Sequence, residues 1–363
     1  MNFTNSHPLV TVTLPHEVSR LIFLRNILSL LLFCLLLAQT SVFAQASAIG
    51  AGSTFVYPLI ARWAVSFKKQ TGHEINYQSI GSGGGLNQLR QRTVDFAAVD
   101  MPQSPHFLNH QQWIQFPLAM GAIVITINVP GIASNRLKLT GPVIADIFLG
   151  KITRWDDPAI TALNPTLKLP AINIAVIHRA DGSGTTFNFT HYLSLVSPTW
   201  ANEVGANTDV NWPTGIGGKG NTGVAMFTQR IPGSISYTEY SFAKLTGLST
   251  VQLQNRAGNF LSPCIENFQA ALESMDWQSG NDFNAFILNP NGANSWPIMA
   301  TTFVLLPIKA KDTAKTALIL QFIYWGYTQG VTAAKQLDYI PLSSSLMGTI
   351  KNYWQQRLHI PKD

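Results

Sequence analysis

The apolar positions of the chain recur at two spacings. In VYPLIARWAVSF (56–67), Val56, Leu59, Ile60, Trp63, Ala64 and Phe67 fall at helical spacing. Pro58 lies early enough to be tolerated in a first helical turn. EINYQSI (74–80) reads as a strand, GSGGG (81–85) as a turn, LNQLRQRTV (86–94) as a helix and DFAAVD (95–100) as a buried strand. AIVITINV (122–129) and NIAVIHR (173–179) are further strands, while LTGPVIADIFLG (139–150) and GTTFNFTHYLSLV (184–196) read as helices. Strands alternating with helices predict an α/β protein with mainly parallel sheets.

Upstream the pattern is different. Arg20 and Arg25 precede an apolar run, ILSLLLFCLLLA (27–38), too short to span a bilayer comfortably. Small residues in the following QTSVFAQASA suit cleavage near Ala44 or Ala46. The expectation is a secretory signal peptide over 1–44 and export, with an uncleaved membrane anchor as the alternative. Cys34 lies within the apolar run behind bulky Phe33, which argues against lipidation. Without this leader only Cys264 remains, so no intrachain disulfide can form although the compartment would permit one.

Composition narrows the function classes. The 363 residues are enough for two domains, and 46% hydrophobic with 12% charged residues excludes wholesale disorder. No dense basic face is available for nucleic acid. The formal charge is +6; with Glu17, Arg20 and Arg25 set aside it is +5, a mild bias compatible with a small anionic ligand.

The candidate chemistry lies in glycine-rich turns. RADGSGTTFNF (179–189) places Arg179 ahead of a turn that opens a helix, where unpaired N–H groups suit an anion. Asp181 and Ser183 as simple caps, with Arg179 a surface charge, is the alternative. GSTF (52–55) echoes GTTF (184–187), and GSGGG lies at a similar strand-to-helix junction, which favours anion binding at strand C-terminal ends. None of these turns fits a P-loop, and GGKGN (217–221) lacks the hydroxyl after Lys219, so it reads as a loop. No GSG matches a hydrolase elbow, the histidines are scattered, and Asp156 and Asp157 resemble a helix start. No catalytic residue, metal or cofactor is expected, and the chain is read as not an enzyme. Asp100 ends a strand either as a cap or as an acceptor beside the anion. An ionised carboxylate accepts a hydrogen bond only from an oxyanion that still carries a proton, as hydrogen phosphates do and sulfate does not.

Taken together, GAGSTF (50–55), YQSIGSGGG (77–85), TVDFAAVDMP (93–102), FLGKITRWDDPAI (148–160), IAVIHRADGSGTTF (174–187), WPTGIGGKGNTGVA (212–225), IPGSISYTEY (231–240) and WPIMATTF (296–303) resemble the periplasmic phosphate-binding proteins of bacterial phosphate ABC importers. The resemblance covers essentially all of the chain beyond the leader. It implies a type II periplasmic-binding-protein fold: two doubly wound α/β domains joined by a hinge of crossing strands, closing over inorganic phosphate. The expected domains are 45–125 plus 300–363, and 126–299. The implied ligands are Thr54, Phe55 (through its backbone N–H), Ser82, Asp100, Arg179, Ser183, Gly184 and Thr185, with Asp181 steadying Arg179. Ser53 stands where the family usually has alanine, and Gly83 where serine is common. His178, beside the arginine, is read as an inert neighbour, with tuning of pH dependence as the alternative. The implied partners are phosphate and the permease subunits of an importer, with the protein itself a monomer. An exported phosphatase, or a binding protein for sulfate or molybdate, is the alternative function.

Overall fold

The computed structural model describes residues 46–273 and 275–358. The leader read over 1–44, with Cys34 and Ala44, lies outside the described residues. Strand β1 (Ser47–Gly52), helix α1 (Tyr57–Thr71), β2 (Glu74–Ser79), α2 (Ser82–Arg90) and β3 (Phe96–Val99) follow the alternation in the sequence. α1 buries Leu59, Ile60, Trp63 and Phe67, the face that the periodicity marks. β1 pairs in parallel with β2 on one side and β3 on the other. α2 differs from expectation: the glycines read as a turn form its first turn, because the helix begins at Ser82. They let α2 lie against β1, since a Cβ on Gly85 would come within 2.5 Å of Gly52 Cα.

β4 (Trp113–Asn128) is the longest strand and starts well before the predicted 122. Gln115 and Pro117 interrupt its apolar run, yet both are accommodated. Buried Gln115 accepts the Gln103 N–H at 2.8 Å and donates to the Asp282 carbonyl at 2.8 Å. Pro117 lies at a register shift against β12, next to the extra residue Leu118, where a missing ladder donor is tolerated.

The next elements are β5 (Lys138–Leu139), α3 (Gly141–Phe148), β6 (Ala175–Arg179), α4 (Gly184–Val196), β7 (Ile216–Gly218), α5 (Gly220–Arg230) and β8 (Ser234–Glu239). β9 (Ser249–Thr250) pairs with β4, and β10 (Gln252–Gln254) with β11 (Phe260–Leu261) and β5 makes a small separate sheet. β12 (Met299–Pro307), α6 (Thr313–Thr328) and α7 (Ser344–Leu358) follow. GGKGN, read as a loop, is instead the end of β7 running into α5.

The main sheet has the order β2-β1-β3-β12-β4-β8-β6-β7. Its outer pairings are parallel, as expected, but β3–β12, β12–β4 and β4–β8 are antiparallel, so the sheet is mixed rather than mainly parallel. β4 joins the two halves: Trp113–Ala122 pairs with β12 and Ile123–Asn128 pairs with β8. The parallel strands β1, β3, β6 and β7 all end in polar turns, where open α/β sheets place their ligand sites. Among the described residues no helix is long and apolar enough to cross a membrane.

Candidate functional site

Asp100 follows β3 and is 2% exposed. Its Oδ1 accepts from Ser53 Oγ at 2.6 Å and Thr302 Oγ1 at 2.7 Å, and Ser53 Oγ also lies 2.7 Å from Oδ2. Ser82, the first residue of α2, accepts the Asp100 backbone N–H at 3.1 Å, and its Oγ stands 3.4 Å from Oδ2. Burial raises the Asp100 carboxyl to about 6, against the lowering effect of the Ser53 and Thr302 hydroxyls, the Arg179 charge and Ser82. At neutral pH it is ionised and can only accept.

Arg179 ends β6 and is equally buried. Its backbone N–H donates to the Tyr237 hydroxyl at 3.2 Å. Its guanidinium donates to both Asp181 oxygens, Nε to Oδ1 at 2.8 Å and Nη2 to Oδ2 at 2.5 Å. Nη1 is 3.4 Å from Thr185 Oγ1. Burial alone would raise the Asp181 carboxyl; the Arg179 bonds and charge and the Gly220 N–H hold it below its usual value. Asp181 thus holds the Arg179 guanidinium at two points and offsets its charge.

Ser183 caps α4, its Oγ accepting the Thr186 N–H at 3.0 Å, and Gly184 and Thr185 open the helix. Thr54, in the turn after β1, accepts from Asn221 through both its N–H at 3.2 Å and Nδ2 at 2.9 Å. Asn221 Nδ2 also lies 3.4 Å from Thr185 Oγ1, so one amide links the β1 turn to α4. Asn188 of α4 donates to the carbonyls of both Asp100 and Gly184. The Gly83 N–H donates to the Gly182 carbonyl at 2.9 Å, joining the second and third glycine turns. A Cβ on Gly184 would fall 2.6 Å from both Asp100 Cβ and Ser82 Oγ. Side chains that share no local pattern therefore meet at the ends of β1, β3, β6 and β7.

All eight residues named from sequence lie in this buried cluster. Phe55 differs in detail, because its N–H already donates to Ser53 Oγ at 3.0 Å and its ring packs edge-on against Tyr339. Ser53, Thr302, Asn188 and Asn221 are additional members. Only Ser53 carried a sequence signal, as the departure from the family's alanine. His178 stacks on Trp212 with ring centroids 4.7 Å apart, its Nδ1 is paired with the Arg179 carbonyl, and burial lowers its pKa.

Fold and site together define a substrate-binding protein of the type II periplasmic-binding-protein fold. Residues 38–329 match the model of the PBP superfamily domain. The phosphate-binding protein PstS of Haemophilus influenzae is 47% identical over 317 residues, 87% of this chain and 95% of that one. The phosphate-binding protein PstS of Xylella fastidiosa is 47% identical over 305 residues, 84% of each chain. The solved structure of a phosphate binding protein from Stenotrophomonas maltophilia superposes with a TM-score of 0.63 at 18% identity, covering 85% of this chain and 93% of that one. The chain belongs to the PBP superfamily and, within it, to the family of phosphate-binding proteins.

Proposed function

We propose that the chain binds inorganic phosphate at this cluster and hands it, unchanged, to the membrane subunits of a phosphate ABC importer. The observation that carries this reading is the pairing of a buried ionised acceptor, Asp100, with a buried guanidinium and helix N-termini at strand ends. Arg179 is balanced by Asp181, so the excess charge of phosphate is met by dipoles rather than by a bare cation. The first N–H groups of α4 and the hydroxyls of Thr54, Ser82 and Thr185 supply them. A hydrogen phosphate donates a hydrogen bond from its P–O–H to Asp100, whereas sulfate meets the carboxylate with lone pairs only. The names of the relatives favour binding over catalysis.

The finer reading is an exported monomer, freed of residues 1–44, acting in the periplasm through two lobes, 45–125 with 300–363 and 126–299, that close over the anion. Burying a dianion with donors from one lobe alone would be very costly, so closure and binding are coupled. Isothermal titration with phosphate, arsenate and sulfate, together with an assay for phosphate-ester turnover, tests the whole reading. Phosphate and arsenate should bind and sulfate should not, with no turnover; ester hydrolysis at the same site would favour the phosphatase alternative. The intact mass of the exported protein should lack about 44 N-terminal residues, and a product keeping lipidated Cys34 would contradict export as a soluble chain.

A further inference from the structure

We propose that Ser53 and Thr302 are positioning residues whose hydroxyls hold Asp100 as an ionised acceptor, and so set the lowest pH at which the site separates a protonated oxyanion from an unprotonated one. The inference rests on the phosphate reading above and adds residues to it.

The geometry singles out these two hydroxyls. Ser53 and Thr302 are fully buried, and they reach Asp100 from different parts of the fold, the turn after β1 and the middle of β12. Both converge on Oδ1, at 2.6 and 2.7 Å. The Ser53 Oγ accepts the Phe55 N–H, which directs its proton toward the carboxylate. Thr302 pairs with Ala119 beside the register shift between β12 and β4, where Leu118 is the extra residue on β4. Oδ1 is therefore saturated by fixed donors. Oδ2 shares the Ser53 proton and has Ser82 Oγ only at 3.4 Å, so it keeps acceptor capacity. The Asp100 and Ser82 side chains both stand against Gly184 at the α4 N-terminus. An anion held at that terminus would present its proton to Oδ2.

The other groups facing Asp100 cannot replace these donors. Arg179 favours ionisation through its charge, but its Nε and Nη2 are committed to Asp181. Half-buried Tyr77 is held protonated by desolvation and the Asp100 charge, and fully buried Tyr339 by desolvation, the Glu239 charge and then the Asp100 charge. Their hydroxyls donate to the Ser53 and Phe55 carbonyls, not to the carboxylate. Asn188 donates to the Asp100 carbonyl. Removing Ser53 Oγ or Thr302 Oγ1 leaves burial less opposed, so Asp100 protonates at higher pH. A protonated Asp100 becomes a donor, which sulfate can use.

The test is sulfate competition against bound phosphate, followed from pH 5 to pH 9 in wild type, Ser53→Ala, Thr302→Val and Thr302→Ser. In wild type, sulfate should compete only as pH falls toward the Asp100 titration near 6. Ser53→Ala and Thr302→Val should each move that onset upward by about one pH unit, the scale of a lost hydrogen bond to a charge. Thr302→Ser, which keeps the hydroxyl, should return the onset to the wild-type pH. Tight phosphate binding at pH 9 certifies that each variant is folded; should Ser53→Ala fail that check, the Thr302 pair carries the test. An onset unmoved in variants that bind phosphate would overturn the proposal while leaving the phosphate reading intact. A wild type that binds no phosphate would instead remove the reading beneath it.

Discussion

Asp100 titrates near 6 because burial disfavours its charge more than Ser53, Thr302, Arg179 and Ser82 favour it. Its folded pKa lies above the unfolded value of 3.8, so the folded protein binds the extra proton. The stability this group contributes is fully present below pH about 4 and is lost as pH rises through about 6. Asp100→Asn should therefore stabilise the phosphate-free protein at pH 8, by up to about 3 kcal/mol, with the gain vanishing toward pH 4. Denaturant midpoints at the two pH values check this, and an equal gain at both would contradict it. Arg179→Ala should weaken phosphate binding by roughly 2–5 kcal/mol, because Asp181 is left buried beside the anion. Arg179→Lys should also weaken it, since an ammonium cannot make the two-point contact to Asp181. Titration of both variants with phosphate reads the effect; wild-type affinity in either would make the guanidinium dispensable. Asp100 and Arg179 are legible in sequence because each ends a buried apolar run at a polar turn. Thr302, Asn221 and Asn188 are not, since their partners lie 202, 167 and 88 residues away and nothing local marks the pairing.

α4 and α2 are the elements that bring the two sets of donors together, and glycine lets them approach. Gly184→Ala would place a methyl carbon 2.6 Å from Asp100 Cβ and Ser82 Oγ. Alanine favours the helix itself, so far-UV circular dichroism should stay unchanged. Phosphate binding should weaken by about 1–3 kcal/mol as the overpacked turn is pushed aside. Retained wild-type affinity would mean that the α4 N-terminus does not approach the anion. α4 is legible over its whole length, 184–196, because Ser183 caps it and its apolar residues keep helical spacing. β4 is legible only from 122, because Gln115 and Pro117 imitate a break that tertiary partners repair. The antiparallel centre of the sheet is hidden for a related reason: β12 joins β3 and β4 from nearly 200 residues downstream, and strand periodicity carries no direction.

For the whole molecule, the expectation is that two lobes meet across β4 and close on the ligand. Small-angle scattering should show a smaller radius of gyration with phosphate than without it, and an unchanged radius at full occupancy would remove closure from the account. Charge at the site fits selection rather than mere attraction, since Arg179 is offset by Asp181 and Asp100 adds a further negative charge. On the proposed reading such a site would hold an anion through directed N–H and O–H groups and reject one that cannot donate a hydrogen bond. The most direct measurement is a phosphate–sulfate competition titration of wild type and Asp100→Asn at pH 8 and fixed ionic strength. Wild type should bind phosphate and exclude sulfate, and Asp100→Asn should narrow the affinity ratio by at least about tenfold, or ~1.4 kcal/mol. Equal exclusion of sulfate by both proteins would contradict proton recognition by Asp100.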